Sequence, residues 1–519
     1  MFTALTLVAL FTVATAVALV ARRLRVPYTV ALVVAGLVLG SGHVFTPPAL
    51  TKDLLFAVFL PGLIFEAAFA LPSEELWNNK WVVSFLALPG VIIATLLTGL
   101  AMTPIARGIP GAESFTLGTG FLFAALVAAT DPIAVVSLFK ALGAPKRLRL
   151  LVEGESLLND GTAVVVFGVV LAAVTSGHFS ISSALVTFVR VAGLGVLVGF
   201  AIGLTVSEVV RRVDDPMIET TLTTIAAYGS FVVAERFHYS GVIATVTAGL
   251  LCGNYGARTG MSATTRIAVG NFWEYLAFAL NSIVFLLIGF EVSLSALAYA
   301  WKPILVAYCV VTLGRALVAY AVAAAVKETR ESFPFKWAGA LTWGGLRGSL
   351  SMVLALSLPA SMHNRELLVV MTFGVVLLSI LVQGSTMPLL LRKMRLVSAS
   401  SAVLIEYQKL RVVAKGAQAA LGEIDLLVDK QDAHVDAIGT IQANYQKKLQ
   451  DAESEAVLLR DKMHQLRSVE QAAVEYRALL AEKNVVTAEA RAGHLSDEHL
   501  RELIGDIDRR LMELQDLQT

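Results

Sequence analysis

The stretch FLFAALVAATDPIAVVSLF, residues 121–139, is apolar enough to lie in a bilayer yet carries Thr130, Asp131 and Pro132 near its middle. Pro132 has no N–H to donate and disfavours helical geometry at Asp131, so backbone hydrogen bonds are released there. In hydrocarbon, freed backbone groups are tolerated only where they are buried in protein or line a cavity. The stretch therefore predicts two half-helices meeting at an aspartate in the membrane. Isolated proline kinks, which Pro61, Pro89 and Pro359 can supply, would carry no such carboxylate.

The rest of the chain agrees with a lipid solvent. Of 519 residues, 56% are hydrophobic and only 16% charged, with a mean hydropathy of +0.72. Apolar runs of about 20 residues, the length a helix needs to cross a bilayer, recur along the chain. Thirteen such segments fall between residues 2–21 and 366–391, the short ninth at 240–253. This excludes a soluble α/β enzyme and predicts an all-α polytopic membrane protein. Lys and Arg in short loops set orientation, because they stay on the cytoplasmic side. With the N-terminus outside, 18 fall in cytoplasmic loops, among them Arg22, Lys146 and Arg392, against 5 outside, so the C-terminus is expected in the cytoplasm. The first segment has no basic residues ahead of its apolar run, and is expected to be a retained helix and not a cleaved signal. Cys252 and Cys309 both fall in spans, where they read as small packing residues, and the eight His show no ligand spacing.

The expected domain boundary follows Arg395. Residues 1–395 form the membrane part; residues 396–519 contain no spanning run and hold 15 Lys and Arg against 21 Asp and Glu. Apolar residues at helical spacing, and Ser496 ahead of Asp497 and Glu498 as an N-cap, predict a helical cytoplasmic tail, either packing on itself or on a second subunit, or regulatory. Gly416, Gly422, Gly439 and Gly493 interrupt any long heptad pattern.

Charges inside spans are costly and point to a cavity, a partner or a pathway. They are Glu66, Asp131, Glu153, Glu155, Asp160, Arg190, Arg315 and Arg347, with Glu219, Glu235, Glu274 and Glu291 nearer span ends. At about 100° per residue, Ser156 and Asp160 share one face of the sixth segment with Glu153, while Glu155 lies about 140° from Asp160. Asp160 and Ser156 can then present oxygens to one cavity, and Glu155 can meet an arginine on another helix. Arg347, among Gly344, Gly345 and Gly348, is the first candidate for that clamp and Arg315 the second. Thr130, Asp131, Ser156, Asn159, Asp160 and Glu66 offer only hard oxygens, which suit a small monovalent or hard cation. A carboxylate there holds a proton or a cation, and that competition is a mechanism for exchange.

The motifs ATDPIAVV, EGESLLNDGTAVV, LPGLIFEAAF, FWEYLAFALNSIVFLLIG and WGGLRGSLSMVLAL resemble those of the sodium/proton exchanger branch of the monovalent cation:proton antiporters. The resemblance covers about residues 1–395. It implies a bundle of about thirteen helices with inverted repeats, two broken helices crossing in the membrane, a mobile transport unit and a homodimer in the bacterial inner membrane. It further implies that Asp160 is the cation- and proton-binding carboxylate with Asn159 beside it, that Thr130, Asp131 and Ser156 are ligands, that Glu66 acts at the site directly or through water, and that Glu155 and Arg347 form an interhelical ion pair. The Asn-Asp pair implies electroneutral exchange of Na⁺ or Li⁺ for H⁺, without cofactor or nucleic acid. A K⁺/H⁺ antiporter of the same fold, a cation channel and a transport-dead sensor remain alternatives; an intramembrane aspartyl protease is disfavoured because no Gly-x-Gly-Asp accompanies the NDGT run.

Overall fold

The structure, a computed structural model, describes residues 4–24, 28–41, 55–109, 113–177, 180–291, 294–396, 399–429 and 435–461, with scattered residues between 475 and 510. Among the described residues it is all helical. It contains α1 (Ala4–Leu24), α2 (Tyr28–Ser41), α3 (Leu60–Ala70), α4 (Lys80–Arg107), α5a (Leu117–Leu126), α5b (Ile133–Leu142), α6 (Lys146–Ser176) and α7 (Ile181–Val210). It continues with α8 (Pro216–Arg236), α9 (Gly241–Leu250), α10 (Ala263–Glu291), α11 (Trp301–Ala325), α12a (Phe335–Gly344), α12b (Ser349–Leu356) and α13 (Arg365–Lys393). Seven of these, α4, α6, α7, α8, α10, α11 and α13, contain helix long and apolar enough to span a bilayer unaided.

Helix starts follow local chemistry. Asp215 caps α8 by accepting the amides of Met217 and Ile218, with Pro216 at the first helical position, where its missing N–H costs nothing. Thr116 and Ser240 cap α5a and α9 in the same way. The apolar surface is turned outward as well as inward. On α7, Leu185, Val186, Val189 and Leu197 are all exposed, which is stable only when the surrounding solvent is lipid. Inside, Phe65 of α3 stacks near Trp273 of α10, whose indole N–H donates to Thr223 of α8 at 3.1 Å. These contacts fix α3 and α10 as two walls around the site described below.

The chain divides into a unit of Met1–Ala141 with Lys146–Met394 and a second unit that includes Arg395–Thr519. In the second, α14 (Ala399–Asp429) and α15 (Val435–Asp461) form an antiparallel pair, with Tyr407, Leu410, Ala456 and Leu459 between them. Both helices run unbroken through Gly416, Gly422 and Gly439. The expected N-cap at Ser496, and Gly493, lie outside the described residues.

Candidate functional site

Two interrupted helices meet inside the bundle. The first break separates α5a from α5b at residues 127–132, and the second separates α12a from α12b at 345–348. They are tied directly: the Asp131 amide donates to the Leu346 carbonyl at 2.7 Å. Close approach is required at two glycines. A Cβ on Gly348 would land on the Asp131 side chain, and one on Gly345 would land on the Arg315 guanidinium.

Breaking a helix frees carbonyls that must find donors. Those of Ala128 and Ala129 accept from Arg347 Nη1 at 2.8 and 3.2 Å, Ala128 also takes the Asn159 amide at 3.2 Å, and that of Thr130 accepts from the Ser156 hydroxyl. Asp131 in turn accepts the Ile133 amide at 3.0 Å and so caps α5b. The Arg347 amide is held by Ser379 Oγ at 3.0 Å, from a single π turn within α13.

Helix α6 presents two faces, as its spacing predicts. Glu153, Ser156 and Asp160 line a cavity of about 790 Å³ together with Thr130, Asp131 and Glu66. Glu155 and Asn159 turn the other way, into the protein, and both are buried. The Asn159 amide nitrogen also reaches Thr130 Oγ1 at 2.9 Å, so this residue braces the first break. Asp160 Oδ1 is buried and has no hydrogen-bond partner among the described residues.

The interhelical ion pair closes on Arg315, not on Arg347. Arg315 Nη1 and Nη2 reach the two Glu155 oxygens at 3.0 and 2.8 Å, and its Nε donates to the Leu341 carbonyl at 3.1 Å. The geometry is a bidentate fork. The physical reason is that Arg347 sits in the second break, where the carbonyls freed by the first take its guanidinium. Arg315 projects from α11, which is continuous and leaves its side chain free to bond.

Beyond the expected residues, the cavity is lined by Glu75 next to α3, by Lys140, Lys146 and Arg149, and by Glu274 and Asn281 of α10. Six carboxylates thus face three cationic side chains, an arrangement that concentrates cations. Sequence reasoning placed Glu274 near a span end without assigning it to the cavity; its i, i+7 relation to Asn281 was the available signal. Other membrane charges lie elsewhere: Arg190 is exposed on α7, Glu219 is buried in the first turn of α8, and Glu235 accepts the Gly241 amide at 3.1 Å. The Glu291 side chain lies outside the described residues. Cys252 is buried as a packing residue, while Cys309 is exposed.

Comparison with known proteins bears on the same region. The family described as sodium/hydrogen exchanger, transmembrane, matches residues 7–393, which contain both breaks and all of α6. The chain belongs to this family. Among its relatives in the sodium/hydrogen exchanger family is the Na(+)/H(+) antiporter NhaG of Bacillus atrophaeus, 34% identical over 94% of this chain and 93% of that one. The antiporter ApNhaP of Aphanothece halophytica is 34% identical over 91% and 90% of the two chains. The match to NhaG continues past the membrane unit into the tail. The sodium proton antiporter MjNhaP1 of Methanocaldococcus jannaschii shares the fold, with a TM-score of 0.62 at 20% identity over 75% of this chain and 97% of that one.

Proposed function

We propose that this exchanger-family chain is a secondary active transporter that exchanges Na⁺ for H⁺ by alternating access, with Asp160 as the carboxylate that holds either ion. The observation that carries the reading is the contrast on α6. Asp160 faces the cavity with an oxygen that has no partner among the described residues, whereas Glu155, five residues earlier and about 140° round the helix, is locked by Arg315. A carboxylate without a fixed counter-ion inside a membrane is stable only when it carries a proton or a cation, so loading by one requires departure of the other.

Asp131, Thr130 and Ser156 supply further hard oxygens beside it, and Glu66 completes the acidic lining. No soft ligand is involved, in keeping with an alkali cation as cargo. Asn159 spends its amide nitrogen on the first break and adds no charge, so one cation replaces one proton at Asp160 and exchange is electroneutral. Movement of the loaded site between the two sides completes the cycle. In the same reading the protein sits in a bacterial inner membrane as a homodimer; the excess of Lys and Arg in the short loops on one side supports a cytoplasmic C-terminus, and residues 396–519 act as a separate regulatory unit.

Proteoliposomes with a trapped pH dye and an imposed pH gradient test this. Na⁺ or Li⁺ should collapse the gradient whether or not the membrane potential is clamped. Collapse by K⁺ alone removes the substrate assignment, and no collapse by any cation removes the transport reading.

A further inference from the structure

Helix α10 contains the motif FWEYLAFALNSIVFLLIG, of which the carboxylate chemistry above uses only Glu274. Four of its residues, Glu274, Ala277, Phe278 and Asn281, line the cavity. Glu274 and Asn281 are seven residues apart, so they lie within about 20° of one another on the helix and about 10 Å apart along its axis. The stripe therefore runs through the cavity as a polar residue, two apolar ones and a second polar residue.

Asn281 is only 8% exposed, yet no described residue hydrogen-bonds its side chain. Its neighbour Ser282 shows the contrast: that hydroxyl is bonded to the Tyr28 hydroxyl at 2.7 Å and to the Phe278 carbonyl. The Asn281 amide is not sealed off: it opens on the cavity, whose contents must supply its hydrogen-bonding or ligand partner. Here it stands in a cavity lined by Asp131 and Asp160. We propose that Asn281 is a further cation-handling residue, whose amide oxygen takes a partly dehydrated alkali cation as it passes between the cavity and Asp160, with Glu274 on the same stripe drawing the cation in.

The chemistry separates this role from that of Asp160. An amide oxygen is a hard ligand, but an amide does not titrate. Asn281 therefore acts on cation affinity and on the choice among alkali cations, and adds no proton site. Because the amide leaves no partner behind among the described residues, its removal should not weaken the fold.

The inference rests on the Na⁺/H⁺ reading, and the experiment separates the two. The purified full-length chain is reconstituted in proteoliposomes, and exchange is titrated with Na⁺ and with Li⁺. For Asn281→Ala the expected result is a rise of about fivefold or more in apparent KM for Na⁺ with maximal rate within about twofold of wild type. The Li⁺ to Na⁺ preference should change, the pH profile of the maximal rate at saturating Na⁺ should not, and the thermal unfolding midpoint should not fall. Asn281→Ser, which keeps an oxygen, should be intermediate. Glu274→Gln should raise KM by about twofold, more at low ionic strength, and tests the stripe even where variants at 281 fail to fold. An unchanged KM and cation preference in Asn281→Ala overturns the proposal, as does a loss of maximal rate and unfolding midpoint together at constant KM. Either result with active wild type leaves the exchanger reading standing; inactive wild type removes both.

Discussion

The two faces of α6 carry carboxylates of similar chemistry and opposite fate. On the inner face Glu155 is bonded through both oxygens to a guanidinium, and only 2% of its side chain is exposed. On the cavity face Asp160 has one buried oxygen with no partner among the described residues. The difference lies in what stands opposite. Glu155 faces α11, which supplies a permanently charged arginine, and Asp160 faces a cavity and makes no ion pair among the described residues. Whether a buried carboxylate serves as a strut or as a binding group is decided by whether a fixed cation reaches it, because an arginine in this setting keeps its charge.

Several experiments break or sharpen that comparison. The largest effect is expected for Asp160→Asn, which removes the exchangeable charge and should reduce exchange by more than about a hundredfold while the protein unfolds at a temperature near that of wild type. Normal proton flux from a folded Asp160→Asn protein would end the assignment. On the other face, Glu155→Ala should cost about 3–5 kcal/mol in stability, since it strands the largely buried Arg315 guanidinium, and should appear as poor yield and early thermal unfolding in detergent. Combining it with Arg315→Leu should recover part of that loss, whereas Arg347→Leu should not, because Arg347 would still be needed by the carbonyls of Ala128 and Ala129. Gly348→Ala drives a methyl group into Asp131 and should cost about 1–3 kcal/mol together with a lower transport rate. The smallest change is expected for Ser156→Ala, which loses one hydrogen bond to the Thr130 carbonyl, worth about 0.5–1.5 kcal/mol, and should raise the KM for Na⁺ modestly.

Much of this was legible from residue order because it is local. Pro132 announces the first break, Gly345 and Gly348 the second, and a rotation of 100° per residue separates Glu155 from Asp160 without any knowledge of the fold. What was not legible depends on which helix stands behind which. Arg347, ranked ahead of Arg315 as the partner of Glu155 from its glycine-rich surroundings, gives way once α11 is placed beside α6 and the freed carbonyls are seen to occupy Arg347. The lining of the cavity is gathered from several distant stretches, from Glu66 to Asn281, which no spacing rule connects. In the tail, α14 and α15 continue through glycines that propensity marks as weak, because packing between two long helices outweighs about 1 kcal/mol per glycine.

The bond between the Asp131 amide and the Leu346 carbonyl has a consequence for deuterium exchange. Irregular backbone usually exchanges quickly, since opening it disturbs little else. At this crossing the amide is held by a carbonyl from a different helix, while carbonyls beside it are held by Arg347, Asn159 and Ser156. Freeing that one proton requires loosening several contacts from three segments at once. The Asp131 amide should therefore retain its hydrogen far longer than amides at the ends of the intact helices, although it belongs to no helix itself.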